Sequence, residues 1–161
     1  MNEYLAGGVP GGLAYLNALT RKKAAREEAR LRWPLPSRAV PPAFRALRGA
    51  TTVDQDIPEQ ITERVVVLLQ EMLDRNDVGH DDLVSIIFTA TPDIHSAFPA
   101  TAARTIGLGD VPLLGASEIS VEGGVQRCIR VMMHLTTERT RAEMRHVYLE
   151  GASHLRDDLP S

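Results

Sequence analysis

The chain has 161 residues, 43% of them apolar, with one cysteine and a formal net charge of -3. That length supports one domain with a real hydrophobic core and is too short for two ordinary ones. One cysteine excludes an intrachain disulfide, and the lack of any run of 18 or more apolar residues excludes a transmembrane helix.

Charge divides the chain in two. Residues 1–43 hold seven Lys and Arg against three Asp and Glu, whereas residues 44–161 hold 11 against 18. An acidic body argues against nucleic acid as the main ligand, because phosphate neutralisation needs clustered cations. An anion bound there is held by a few placed arginines instead. The opening stretch MNEYLAGGVPGGLAYL lacks the basic and long apolar regions of a secretory signal, so a cytoplasmic protein is expected. Leu13, Leu16 and Leu19 give the next stretch a helical spacing, and PLPSRAVPP after it reads as a linker. Residues 1–43 are therefore expected to be an N-terminal extension, flexible or loosely helical.

From Phe44 onward the pattern sharpens. FRALRGATTV reads as a strand, and DIPEQITERVVVLLQEMLDRND as a helix opened by Asp56 with Glu59 three residues later. Ile61, Val65, Leu68, Leu69 and Met72 share one face of that helix. LVSIIFTA is a β-branched strand, FPATAARTIGL a short helix with Pro99 in its first turn, and VPLLGASEI and CIRVMMHLTT further strands. RHVYL reads as a last short strand, leading into a helical turn in EGASHLRDDLP. The expected fold is α+β, a mixed sheet of about five strands with one long and one short helix. Two helices do not cover both faces of five strands, so the free apolar face is expected to bury itself against another copy of the chain. Pockets between subunits then become the natural place for a ligand.

The five histidines show no metal-ligand spacing, and no nucleophile elbow, P-loop or dinucleotide fingerprint is present, so neither a metal nor a cofactor is expected. Cys128, in an apolar strand, reads as core. What remains is a set of polar residues inside strands: Arg48 on one face with Phe44 and Ala46, Glu118 at the end of LLGASE, Arg130 between Cys128 and Met132, and Tyr148 between Val147 and Leu149. In GGVQRCIRVMM, strict alternation puts Arg127 with Ile129 and Val131, and buries Arg130 opposite them. A buried guanidinium needs an anionic partner. Glu118 bridging Arg48 or Arg130 is the simplest structural pair, but one carboxylate does not satisfy two buried arginines, and the surplus calls for an anionic ligand.

The segments LRGATTV, TATPDIHSAFPATAAR, VPLLGASEISVEGGVQRCIRVMM and RHVYLEGASHLRDDL together resemble the monofunctional chorismate mutases of the trimeric pseudo-α/β-barrel type. The resemblance runs over residues 44–158 at near-constant spacing, leaving residues 159–161 as a C-terminal tail. It implies a homotrimer with a pseudo-barrel core, active sites at subunit interfaces, chorismate as substrate, prephenate as product, and no cofactor, metal or covalent intermediate. By position, Arg130 resembles the cation facing the ether oxygen of the breaking bond, Arg48 with Tyr148 the grip on the side-chain carboxylate, and Glu118 the acceptor for the ring hydroxyl. Phe98, Ala100, Leu114 and Leu155 match wall positions, and Arg104 and Arg156 match arginines at the pocket mouth or in the tail. Thr101 stands where the family pattern has a lysine, and Gly115 where it has a cysteine. Gly115 and Glu118 are three apart, which in a regular strand sends them toward different pockets. Two alternatives remain open: a non-catalytic trimeric sensor of an aromatic-pathway acid, and a reactive-imine deaminase, whose characteristic motifs are missing.

Overall fold

A computed structural model describes residues 41–156, and of Arg156 the backbone alone. The expected N-terminal helix, the linker up to residue 40, the side chain of Arg156 and the tail lie outside the described residues. Five strands, β1 (Ala43–Thr52), β2 (Leu83–Ala90), β3 (Leu113–Ser117), β4 (Cys128–Thr137) and β5 (Val147–Tyr148), form one mixed sheet in the order β3-β2-β4-β1-β5. β4 runs antiparallel to β1 and β2, while β3 and β5 are parallel to their neighbours. Among the described residues, two α-helices, α1 (Pro58–Asp74) and α2 (Pro99–Thr105), complete the α+β unit with three short 3-10 turns. Among the described residues no helix is long and apolar enough to cross a membrane.

Both helices serve one face of the sheet. The stripe Ile61, Val65, Leu68, Leu69 and Met72 of α1 is fully buried with Leu47 of β1, Ile86 and Phe88 of β2, and Met133 and Leu135 of β4. The opposite face carries Phe44, Arg48, Ile87, Thr89, Arg130, Met132, His134 and Tyr148, most of them partly exposed. At one end of it the 3-10 turn Glu150–Arg156 folds over Ala50 and Cys128, with Ala152 buried and Leu155 and Tyr148 packed beside it.

Two expectations are corrected. Asp56 does not cap α1: the helix starts with Ile57 at the N-cap, no side-chain cap and Pro58 in its first turn, where proline's missing N–H costs nothing. The Asp56 carboxylate instead accepts from the backbone N–H groups of His95 and Ser96, both at 3.2 Å, and from Ser96 Oγ at 2.8 Å. Arg127 does not join β4: it is exposed with a left-handed φ of 45° and the strand begins at Cys128. Its N–H donates to Asp93 Oδ2 at 2.8 Å, while Asp93 Oδ1 accepts from Thr91 Oγ1 at 2.5 Å. Asp93 thus fastens the loop after β2 to the loop before β4.

Burial works against the Asp93 charge, but the Thr91 hydroxyl and Arg127 N–H outweigh it and hold the carboxyl below its ordinary pKa. A carboxyl depressed in the fold contributes stability that is present above its unfolded pKa, about 3.9, and is lost as pH falls through the lower folded value. Thermal melts between about pH 2 and pH 7 are expected to show Asp93→Asn less stable than wild type at neutral pH, with the two curves converging in acid. A gap that persists unchanged to the lowest pH removes this role.

Gly49 marks the close approach of α1 to β1, since a Cβ there would lie 2.3 Å from Met72 Sδ and 3.1 Å from Leu68 Cδ1. Gly49→Ala is expected to destabilise the fold by about 1–3 kcal/mol through overpacking, measured by urea denaturation. An unchanged midpoint refutes the tight contact.

Candidate active site

Sheet register builds the first part of the site. Thr89 of β2 stands directly across from Arg130 of β4, and Ala116 of β3 pairs with Thr89 from the other side. Glu118 follows two residues later, just past the end of β3, where its N–H donates to the Ala90 carbonyl at 2.9 Å. This brings its carboxylate to Arg130: Nη1 donates to Glu118 Oε2 in an ion pair. The other oxygen, Oε1, accepts from Thr89 Oγ1 at 2.5 Å. Desolvation disfavours the Arg130 charge, but the Glu118 bond and the nearby Cys128, Glu118 and Tyr148 outweigh it, so its pKa lies above the ordinary arginine value. Burial pushes the Cys128 thiol up, in keeping with an inert core residue.

Arg48 and Tyr148 arrive from the other side of β4. β1 and β5 pair in parallel at Gly49–Val147 and Ala50–Tyr148, so Tyr148 stands beside Ala50, two residues along β1 from Arg48. The pairing is held at both ends. Arg48 N–H donates to His146 Nδ1 at 3.1 Å, and Leu149 N–H to the Ala50 carbonyl at 2.9 Å. Buried Asn76, at the end of α1, ties down the approach to β5: its amide donates to the Met72 and Arg145 carbonyls at 2.9 and 2.8 Å and accepts from Arg145 N–H at 2.7 Å.

These elements enclose a cleft of about 380 Å³ on the helix-free face, lined by Arg48, Ile87, Thr89, Arg130, Met132, Tyr148 and Leu155 among others. Among the described residues, two guanidiniums and no carboxylate line it. Arg48 forms no ion pair among the described residues. The Arg130 side chain is 38% exposed and that of Glu118 14%, so the expectation of a buried Arg130 is corrected: the strand's outer face is open in a single chain. Among the described residues, one carboxylate, Glu118, pairs with one of the two arginines on this face.

The remaining site residues gather elsewhere. Phe98, Ala100, Thr101, Arg104 and Gly115 line a second cavity of about 590 Å³, formed by the loop after β2, the start of α2 and the edge strand β3. His95 and Ser96, which the sequence did not single out, line it too, held by Asp56. Phe98 is 82% exposed. Leu114 does not join this cavity; alternation along β3 turns it away from Gly115, and it is 59% exposed. Glu118 and Arg130 border a third hollow of about 660 Å³ under the loop 119–126. Gly115 and Glu118 thus border different hollows of the single chain. Thr89 is the residue common to the first cleft and the second cavity. Its signal in the sequence is a hydroxyl set into an apolar run, which periodicity alone does not separate from an ordinary β-branched strand residue.

Comparison with known proteins gives this arrangement its context. The profile of the family described as chorismate mutase type I matches residues 44–159. A chorismate mutase AroH of Thermus thermophilus is 47% identical over 118 residues, 73% of this chain and 97% of the relative. One from Bacillus subtilis (strain 168) is 42% identical over 117 residues, 72% of this chain and 92% of the relative. The solved structure of a chorismate mutase from Clostridium thermocellum superposes with a TM-score of 0.66 at 45% identity, covering 67% of this chain and 96% of the other. With a family profile spanning nearly all the described residues and relatives covered almost end to end, the chain belongs to the type I chorismate mutases.

Proposed function

We propose that this enzyme rearranges chorismate to prephenate, in the biosynthesis of phenylalanine and tyrosine, by gripping the substrate at its charged ends and stabilising the ether oxygen electrostatically. The single observation carrying this reading is the cleft with two arginines, one of them balanced by Glu118 and the other without an ion pair among the described residues. A dianionic substrate supplies the missing charge.

The reaction needs a flexible ether held as a compact chair with its two reacting carbons in contact. Arg48 and Tyr148 take the side-chain carboxylate, and Glu118 accepts from the ring hydroxyl. Removing that conformational freedom before the barrier is worth up to about 7–11 kcal/mol in favourable systems. As the C–O bond stretches ahead of C–C formation, negative charge gathers on the ether oxygen, and Arg130 stabilises this state more than the ground state. The chain itself forms no bond to the substrate in this scheme and transfers no proton.

The unit is a homotrimer, and each active site is shared between neighbouring copies. Two features support this. The helix-free face leaves Phe44, Ile87, Met132 and Leu155 only partly covered in one chain. The site residues also divide into two groups in separate cavities, Arg48, Glu118, Arg130, Tyr148 and Leu155 in one part, and Phe98, Ala100, Thr101, Arg104 and Gly115 in the other. One copy presenting Phe98 to its neighbour's cleft completes a single enclosed site, with Leu114 on the contact and Arg156 at its mouth. Residues 44–158 form the mutase domain, residues 1–43 are an appendage to it, and the enzyme works in the cytoplasm without cofactor or metal.

Incubation of the purified protein with chorismate is expected to remove its ultraviolet absorbance and yield prephenate; saturable binding without turnover would instead identify a sensor and sink the enzymatic reading. Arg130→Ala is expected to lower kcat by at least about 10²-fold, and Arg130→Lys is expected not to restore it because a point charge lacks the planar fork. Wild-type turnover in Arg130→Ala takes Arg130 out of the mechanism. Light scattering is expected to give three times the chain mass. Arg104→Ala and Arg130→Ala chains, each inactive alone, are expected to recover part of the activity when refolded together, because a mixed trimer contains intact sites. No recovery on mixing points to sites lying within one chain.

A further inference from the structure

We propose that Thr89 is a positioning residue for this reaction: its hydroxyl holds one oxygen of Glu118 and so keeps Arg130 available to the substrate. The inference rests on the chorismate mutase reading and adds to it a residue outside the set that grips the substrate.

The argument begins with the number of donors. A guanidinium carries five N–H donors in a fixed fork, and its preferred partner is a carboxylate taken by both oxygens at once. Arg130 and Glu118 are close enough to pair, yet they meet through one atom of each, Nη1 on Oε2. The second carboxylate oxygen is already occupied, because Thr89 Oγ1 donates to Oε1 at 2.5 Å. Thr89 sits at the right place for structural reasons. It is the cross-strand partner of Arg130 and is paired on its other side with Ala116, two residues before Glu118. The Glu118 N–H is fixed on the Ala90 carbonyl, which sets the base of its side chain beside Thr89 and Arg130.

Rotation of the carboxylate is what the hydroxyl controls. With Oε1 held by Thr89, the remaining guanidinium donors of Arg130 are not taken by Glu118, and Arg130 and Thr89 line the same cleft. Without the hydroxyl, Oε1 is released, and the carboxylate turns to take Arg130 through both oxygens. The cation is then committed to Glu118 in the ground state. Stabilisation of charge developing on the ether oxygen falls, while the grip by Arg48 and Tyr148 is untouched. Loss of Thr89 therefore belongs in kcat more than in KM.

The test compares Thr89→Val, which keeps the shape and removes the hydroxyl, with Thr89→Ala and Thr89→Ser, in steady-state kinetics on chorismate alongside thermal melts. Expected are a fall in kcat of about tenfold or more in both Val and Ala variants, the scale of a hydrogen bond to a charged group, with KM changing by less, and recovery to near the wild-type kcat in Thr89→Ser. Should Thr89→Val melt far below wild type, the Ala and Ser variants decide by the same comparison. The inference is overturned if the variants lacking the hydroxyl turn over like wild type, if the loss lies in KM, or if serine fails to recover kcat. Turnover by the wild-type protein in the same assay separates the two claims: its absence overturns the mutase reading and this inference with it, whereas its presence with unaffected Thr89 variants overturns this inference alone.

Discussion

One ion pair organises the site, that of Arg130 with Glu118. A cation on a sheet face between apolar neighbours is stabilised by a nearby counter-charge, and a counter-charge that saturates it leaves nothing for a ligand. The solution here is a carboxylate at the end of an edge strand, bound through one oxygen. It balances Arg130 without exhausting it, and it leaves Arg48, on the neighbouring strand, with its charge unanswered by the described residues. The register of β2, β3 and β1 relative to β4 is what brings these groups together.

The division of labour between the two sheet faces follows from the period of two along each strand. Residues that face the helices are mostly apolar, with the buried Thr51 of β1 among them, and α1 approaches so closely that a Cβ at Gly49 would press on Met72. Residues one step on carry the arginines, Thr89 and Tyr148. The same backbone therefore supplies a dry core on one side and a polar, ligand-ready surface on the other, and the alternation leaves no freedom to trade between them.

Much of this was legible in the sequence because it depends on short-range periodicity. LVSIIFTA and CIRVMMHLTT coincide with β2 and β4 to the residue, and the five-residue stripe of α1 is the buried one. The roles of Asp56 and Asp93 were not legible. Asp56 followed by Pro58 and Glu59 has the local look of a helix start, but its carboxylate is claimed by backbone groups some 40 residues away, and no local pattern encodes that distance. Arg127 was misplaced for a related reason: strict alternation extends a strand backwards until something stops it, and here the stop is a left-handed residue whose N–H is held by Asp93. Arg130 and Glu118 stood out because a charge inside an apolar run is conspicuous; Thr89 did not, because threonine is at home in a strand.

The bond from Arg48 N–H to His146, which spans 98 residues, joins the two ends of the site-bearing domain. During synthesis β1 and α1 emerge early, yet the cleft has no second wall until the chain has run to Tyr148 and Leu155. A chain clipped before Val147 therefore lacks the Tyr148 and Leu155 wall of the cleft, and a ligand that binds the cleft favours only molecules whose distant ends have met. Competence to bind is in this sense a proofreading of completeness, delivered by topology rather than by any single residue.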